Sequence, residues 1–299
     1  MTLGRRAAIG HVFLGIAVSP GFAACGGQTP EPETAAAPAA TAPVPPSVPD
    51  IEAAPVPDDR IRVLFIGNSY TYVNDLPHQI GRIAESLGVE TPFEVVSVTP
   101  GGMTLSHHWE TGATRRLIRQ GGWTHVVLQE QSTRPLDDPE LFYEYVRRFD
   151  EEIDRVGAQT VLYMTWARQA RPASQDSLSH AYLTAAAEAG ARVAPVGMAW
   201  QRAIADAPDL VLHFEDGSHP EPTGTYLAAL VFYATLFDAS PVGATAARWS
   251  SGFAEHSARQ SADEIDPLPE ATATRLQEIA WEVVSSMAEA PADSTGAGW

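Results

Sequence analysis

The chain has a single cysteine, Cys25, among 299 residues. A lone thiol cannot close an internal disulfide, so no such staple is available to an exported domain. Positive charge is scarce too: 19 basic residues stand against 37 acidic ones, for a net charge of −18. Phosphate binding needs clustered cations, so this balance argues against nucleic acid as a partner. The sequence has no Walker-type loop, no GxGxxG and no internal repeat. What remains is ordinary globular composition, 44% hydrophobic and 19% charged, long enough for one large domain or two small ones.

The N-terminus does not read as part of a fold. A short basic start, MTLGRR, leads into the apolar stretch AAIGHVFLGIAVSPGFAA, and Cys25 follows directly. That is the pattern of a secretory signal over residues 1–24. Pro20 and the glycines interrupt the apolar run, which disfavours a membrane-spanning helix. The small residues before Cys25 resemble a bacterial lipobox, with Phe22 where leucine is usual. On that resemblance Cys25 becomes the first mature residue and carries lipid. The expected location is the bacterial cell envelope, with the lipid as the only membrane contact. Residues 25–59 are rich in Pro, Ala and Thr with almost no large apolar side chain. Such a segment cannot bury enough surface to fold, and it reads as a tether. The folded domain is expected over residues 60–288, with a frayed tail over 289–299.

From Arg60 onward, short apolar runs alternate with helical spacing. RVLFIG, FEVVSV, THVVLQ, TVLYMTW and ARVAPV read as five strands. LPHQIGRIAESLG places Leu76, Ile80, Ile83 and Leu87 on one helical face. SHHWETGATRRLIRQGG reads as one helix closed by glycines, and PELFYEYVRRFDEEIDRVG as a helix from proline to glycine. Three more helices follow in SLSHAYLTAAAEAG, the strongly apolar GTYLAALVFYATLF, and PEATATRLQEIAWEVVSSMA. This alternation predicts an α/β fold, a mostly parallel sheet with helices on both faces. In such folds the sites lie beyond the carboxyl ends of the strands. Here those ends carry Gly67-Asn68-Ser69, Gly101-Gly102, Gln129 to Ser132, and Trp166 with Arg168.

A serine nucleophile needs an exposed hydroxyl, a histidine to take its proton, and a group that fixes the imidazole. Ser69 sits where a strand turns toward a helix. Asp216 and His219 lie three residues apart in a loop before an apolar helix, so the carboxylate can reach one imidazole nitrogen and leave the other for Ser69. Each residue alone has a plainer reading. Ser69 is a turn or cap residue, Asp216 closes an Asx-turn, and His219 before proline is structural. It is their combination and order that point to chemistry.

The segments IGNSYT, GGMTL, VVLQEQS and DGSHPEPTGTYLAA resemble the conserved blocks of the SGNH/GDSL hydrolase superfamily, over roughly residues 60–239. The resemblance implies a flavodoxin-like three-layer fold and an esterase that needs no metal or organic cofactor. It implies Ser69 as nucleophile, Asp216 as orienter and His219 as general base. The Ser69 N–H and an N–H at Gly102, or else Gly101, would serve the oxyanion. Two departures stand out. Asn68 replaces the usual aspartate, and Gln129-Glu130-Gln131-Ser132 replaces Gly-x-Asn-Asp. Gln131 then falls at the asparagine position as an oxyanion donor, with Gln129 the alternative.

The family includes lipases, thioesterases, carbohydrate deacetylases and acyltransferases. Location at the envelope and the lack of a large apolar lid point to a small acyl group, such as acetyl on a carbohydrate, so the expected partner is a small-molecule or glycan ester. A non-catalytic binding module or an acyltransferase with the same residues are the other readings. Trp166 and Arg168 follow the fourth strand and are expected to contact substrate; Trp109 is a weaker case of the same kind. A metal site built from His107, His108, His213, His219 and Asp216 is not expected, because zinc ligands show tighter spacing. His107 and His108, adjacent on a helix, point to different faces.

Overall fold

The computed structural model describes residues 54–251 and 262–289, all within one compact unit. The expected signal segment, the lipidated Cys25, residues 26–53 of the tether and residues 290–299 of the tail lie outside the described residues. No helix among the described residues is long and apolar enough to cross a membrane. Ala54 already bonds to the loop ahead of the third strand: its N–H donates to Gln120 O at 2.9 Å, and Gly122 N–H donates to Ala54 O at 2.7 Å.

The apolar runs form strands β1 (Ile61–Ile66), β2 (Phe93–Val98), β3 (His125–Leu128), β4 (Gln159–Tyr163) and β5 (Arg192–Ala194). All four pairings are parallel, in the order β2-β1-β3-β4-β5. This is the flavodoxin-like order, with its switch point between β1 and β3. Among the described residues ten helices connect and flank the strands: α1 (Ser69–Tyr72), α2 (Leu76–Ser86), α3 (Leu105–Thr111), α4 (Ala113–Arg119), α5 (Arg134–Asp137), α6 (Pro139–Asp154), α7 (Gln175–Ala189), α8 (Val196–Asp206), α9 (Pro222–Phe237) and α10 (Glu270–Glu289). A separate antiparallel pair joins β6 (Arg248–Ser250) and β7 (Asp263–Ile265).

Successive side chains of a strand point to opposite faces. Val63 and Phe65 of β1 therefore pack with α2, α8, α9 and α10, while Leu64 and Ile66 pack with α3, α4, α6 and α7. Burial on both faces is why the central strands are continuous apolar runs. Helix α9 is buried from Thr223 to Leu236. It is apolar all round because it is covered all round.

Two expectations are corrected. The helix expected from Ser106 to Gly122 is two helices, since Gly112 takes a left-handed φ of +70° that closes α3 and starts α4. The fifth strand stops at Ala194 instead of running to Val196. Pro195 caps a helix, α8, that the sequence reading did not contain. Gly197 inside α8 marks a close approach: a Cβ there would run into the Thr165 carbonyl and the Gln175 amide.

Gly224 seats α9 in a similar way. A Cβ at this position would lie 2.5 Å from both the Leu212 carbonyl oxygen and Trp200 Cζ2. Gly224→Ala should therefore lower the unfolding free energy by about 1–3 kcal/mol in urea titrations, the usual cost of overpacking. Unchanged stability would mean that α9 does not sit this close to the loop before it.

Candidate active site

The site begins where β1 ends. Gly67 N–H continues the sheet by donating to Val98 O at 3.1 Å. Beyond it the Gln129 carboxamide fills the space that a Gly67 side chain would need; a Cβ there would lie 2.6 Å from Gln129 Oε1. Gln129 Oε1 accepts from Asn68 N–H at 2.8 Å and from Thr71 Oγ1 at 3.0 Å. Its Nε2 donates to Asn68 Oδ1 at 2.9 Å and to Glu130 O at 2.6 Å. From the other side, His108 Nε2 lies 2.7 Å from Gly67 O. A carbonyl only accepts, so this nitrogen carries the proton. Burial holds the His108 imidazole below its ordinary pKa, consistent with a neutral ring.

Asn68 caps α1 by accepting from Tyr70 N–H at 3.2 Å. Ser69 is thereby turned toward the crevice, 8% exposed. His219 Nε2 lies 2.8 Å from Ser69 Oγ, and His219 Nδ1 lies 2.5 Å from Asp216 Oδ2. Asp216 Oδ1 accepts the N–H groups of Ser218 and His219, each at 2.9 Å. Burial pushes the Asp216 carboxyl up, but these N–H groups and the imidazole outweigh it and hold the group below its ordinary value. A carboxylate accepts only, so His219 carries its proton on Nδ1 and offers the lone pair of Nε2 to the Ser69 hydroxyl. The structure thus joins the three residues in the geometry of a hydroxyl–imidazole–carboxylate relay.

The loop of Gly101 and Gly102 is exposed, and Gly102 has a left-handed φ of +69°. Two anchors hold this loop beside the strand end. Asn68 Nδ2 donates to Met103 O at 2.9 Å, and Leu105 N–H donates to Glu130 Oε1 at 3.2 Å. The same Glu130 oxygen accepts Gln131 N–H at 2.6 Å. The two glutamines now separate. An amide nitrogen has two hydrogens, and Gln129 spends both internally. Gln131 Oε1 is held by the N–H groups of Thr133 and Arg134 at 2.9 and 3.1 Å, but its Nε2 has only a long contact, 3.4 Å, to Ser132 Oγ. Gln131 is the one with a hydrogen to spare.

Trp166 and Arg168 part company as well. Trp166 is 1% exposed. Its ring stacks between Tyr70 and Trp200, with centroids 4.6 and 3.9 Å away, and its Nε1–H donates to Ser218 O at 2.9 Å. Both faces are covered by Tyr70 and Trp200, so nothing further can stack on Trp166, which serves as a wall of the site. Arg168 is exposed, and its Nη2 donates to Ser132 Oγ at 3.0 Å. Tyr70 and Ser218, absent from the sequence reading, complete this side. Their hydroxyls are 2.6 Å apart, and the Tyr70 ring meets the His219 ring edge-on at 5.4 Å. Trp109 lies away from this arrangement, packed edge-on against Phe149. His213 Nε2 sits 3.0 Å from Ala167 O. Among the described residues no group of three or more His, Cys, Asp or Glu is arranged to hold a metal.

No protein-family model matches the chain, and no curated protein does. Solved structures do. A protein from Slackia heliotrinireducens assigned to the SGNH hydrolases is 31% identical over 59% of this chain and 98% of its own, with a TM-score of 0.49. The chain belongs to the SGNH hydrolase superfamily. A DUF4886 family protein from Bacteroides uniformis shares the fold at 16% identity, over 79% of this chain and 99% of its own, with a TM-score of 0.57. The acetylxylan esterase Axe2 from Geobacillus stearothermophilus matches at 15% identity, over 59% of this chain and 94% of its own, with a TM-score of 0.49. As an SGNH hydrolase, the protein departs from the family pattern at Gln129 to Ser132, where a buried acid organises the loops.

That acid has a measurable signature. Burial pushes the Glu130 carboxyl up to about 7, against the N–H groups of Gln131 and Leu105. The native state then holds a proton that the unfolded chain releases near 4.5. The stabilisation is full below that value and is lost as pH rises through 7. Compared with Glu130→Gln, the wild-type protein should lose roughly 1 kcal/mol of stability per pH unit between about pH 5 and pH 7. A stability difference that stays flat across this window would contradict the assignment.

Proposed function

We propose that the protein is a serine esterase that removes a small acyl group, such as acetyl, from an alcohol, with a carbohydrate ester as the expected substrate. One observation carries this reading: His219 bridges Ser69 and Asp216 through its two ring nitrogens, at 2.8 and 2.5 Å. Ser69 Oγ attacks the ester carbonyl as its proton passes to His219 Nε2. Asp216 stabilises the imidazolium that forms. The N–H groups of Ser69 and Gly102 and the spare hydrogen of Gln131 Nε2 serve the oxyanion. His219 then gives its proton to the departing alkoxide. Water, deprotonated by the same imidazole, releases the carboxylic acid and restores Ser69.

The surroundings support a small acyl group. Ser132, Ser218, Asp216 and Arg168 make the neighbourhood of Ser69 polar, a poor bed for a long alkyl chain. The Asp216 and His219 side chains are 38% and 19% exposed, so water can reach the acyl-enzyme. A lipid on Cys25 and the tether would hold this domain at the bacterial envelope, where esterified glycans are met.

The test is hydrolysis of nitrophenyl acetate beside Ser69→Ala, His219→Ala and Asp216→Asn. Each variant should lose about 10³-fold or more in kcat, with intact folding by circular dichroism. Equal rates in all four proteins would sink the reading.

A further inference from the structure

Behind Trp166 lies a cavity of about 350 Å³, lined among others by Trp166, Arg168, Trp200, Ile204, Val211 and Leu212. Ser69 and His219 are not part of its wall. It is separated from them by the Tyr70–Trp166 stack, and that volume is the size of a ligand pocket. Three independent features bear on what it takes. Among the described residues only Leu183, Ile204, Val211 and Val242 are large apolar side chains left exposed, and Ile204 and Val211 both belong to this cavity. Exposed apolar surface gathered at a concavity marks a binding site more often than scattered exposure does. Its wall is aromatic as well: Trp166 and Trp200, each 1% exposed, both line it.

The third feature is charge. Acids outnumber bases 37 to 19, and all the bases are arginines, since the sequence contains no lysine. Most described arginines pair with a carboxylate. Among the described residues, Arg168 lies within ion-pair distance of no carboxylate. It gives one N–H to Ser132 and keeps its remaining donors. Arg171, exposed on the same loop, also has no carboxylate partner among the described residues. Leaving a guanidinium unpaired at a cavity mouth in so acidic a chain suits an anionic ligand group, which Arg can grip with two parallel bonds.

We propose that this cavity binds the non-reacting part of the substrate, an apolar ring or short alkyl group that bears a carboxylate, with Arg168 pairing the carboxylate. Arg168 links the two places: it lines the cavity, and its guanidinium reaches Ser132 beside Tyr70. The inference rests on the esterase reading for the word substrate, but the recognition itself does not need turnover.

Two measurements separate these claims. Calorimetry on the full chain carrying Ser69→Ala should show benzoate binding at least about tenfold tighter than benzamide, with the difference gone when Arg168→Gln is added. In the otherwise unaltered protein, kcat/KM for 4-acetoxybenzoate should exceed that for 4-acetoxybenzamide by about tenfold or more, and Arg168→Gln should bring the ratio to about one. Val211→Asp, an exposed change at the cavity, should weaken benzoate binding by like-charge repulsion. A ratio near one in the unaltered protein, or a preference that survives Arg168→Gln, overturns the proposal. Benzoate binding without turnover of either ester supports the recognition site and counts against the esterase reading. Turnover of both esters at equal rates with no benzoate binding overturns the site alone.

Discussion

The site depends on one buried carboxamide. Gln129 enters the space left by the missing side chain of Gly67 and makes three hydrogen bonds to the turn that carries Ser69, while its remaining N–H donates to Glu130 O. A helix of four residues has no stability of its own. What fixes the direction of Ser69 is therefore the turn before it, held by Gln129 on one side and by His108 on the Gly67 carbonyl on the other. A buried amide that is fully bonded specifies one arrangement, because any alternative strands polar groups away from water. The relay to His219 and Asp216 is built on that fixed point.

The acid at Glu130 plays the matching part for the loops. One oxygen accepts the N–H groups of Leu105 and Gln131, so the segments that carry two of the three proposed oxyanion donors are tied to a single atom. The aromatic stack then does for the far wall what hydrogen bonds do for the near one. Tyr70, Trp166 and Trp200 lie parallel, with interplanar angles of 3° and 4°. Such pairs contribute about 0.5–1.5 kcal/mol each beyond burial. They give the crevice a rigid side, and the cavity lies behind it.

Much of this was legible in the sequence, and the reasons are local. The central strands β1, β3 and β4 announce themselves because strands buried on both faces are apolar runs. Ser69 stands out by its place at a strand end, and Asp216 and His219 by their spacing in the loop before an apolar helix. Helix α8 does not stand out, because Pro195 and Gly197 look like breakers. Only the packed structure reveals that Pro195 caps the helix and that Gly197 makes room for the Thr165 carbonyl. The break at Gly112 was hidden by apolar spacing that continues across it. The choice between Gln129 and Gln131 was open for a deeper reason. Two glutamines two positions apart are equal in sequence, and they differ only in whether their hydrogens are already spent. The place of Glu130 beside Gln131 suggests burial at the site, but its partner Leu105, like the contact of His108 with Gly67, lies far along the chain, which no spacing rule encodes.

The central claim is that Ser69 is activated by His219. The most direct measurement is intact-mass and peptide analysis after brief treatment with a fluorophosphonate, which reacts with an activated serine without regard to the natural acyl group. The account predicts one adduct, on Ser69, formed rapidly in the unaltered protein and hardly at all in His219→Ala. No adduct in the unaltered protein, an adduct on Ser132 instead, or labelling that persists in His219→Ala would contradict it.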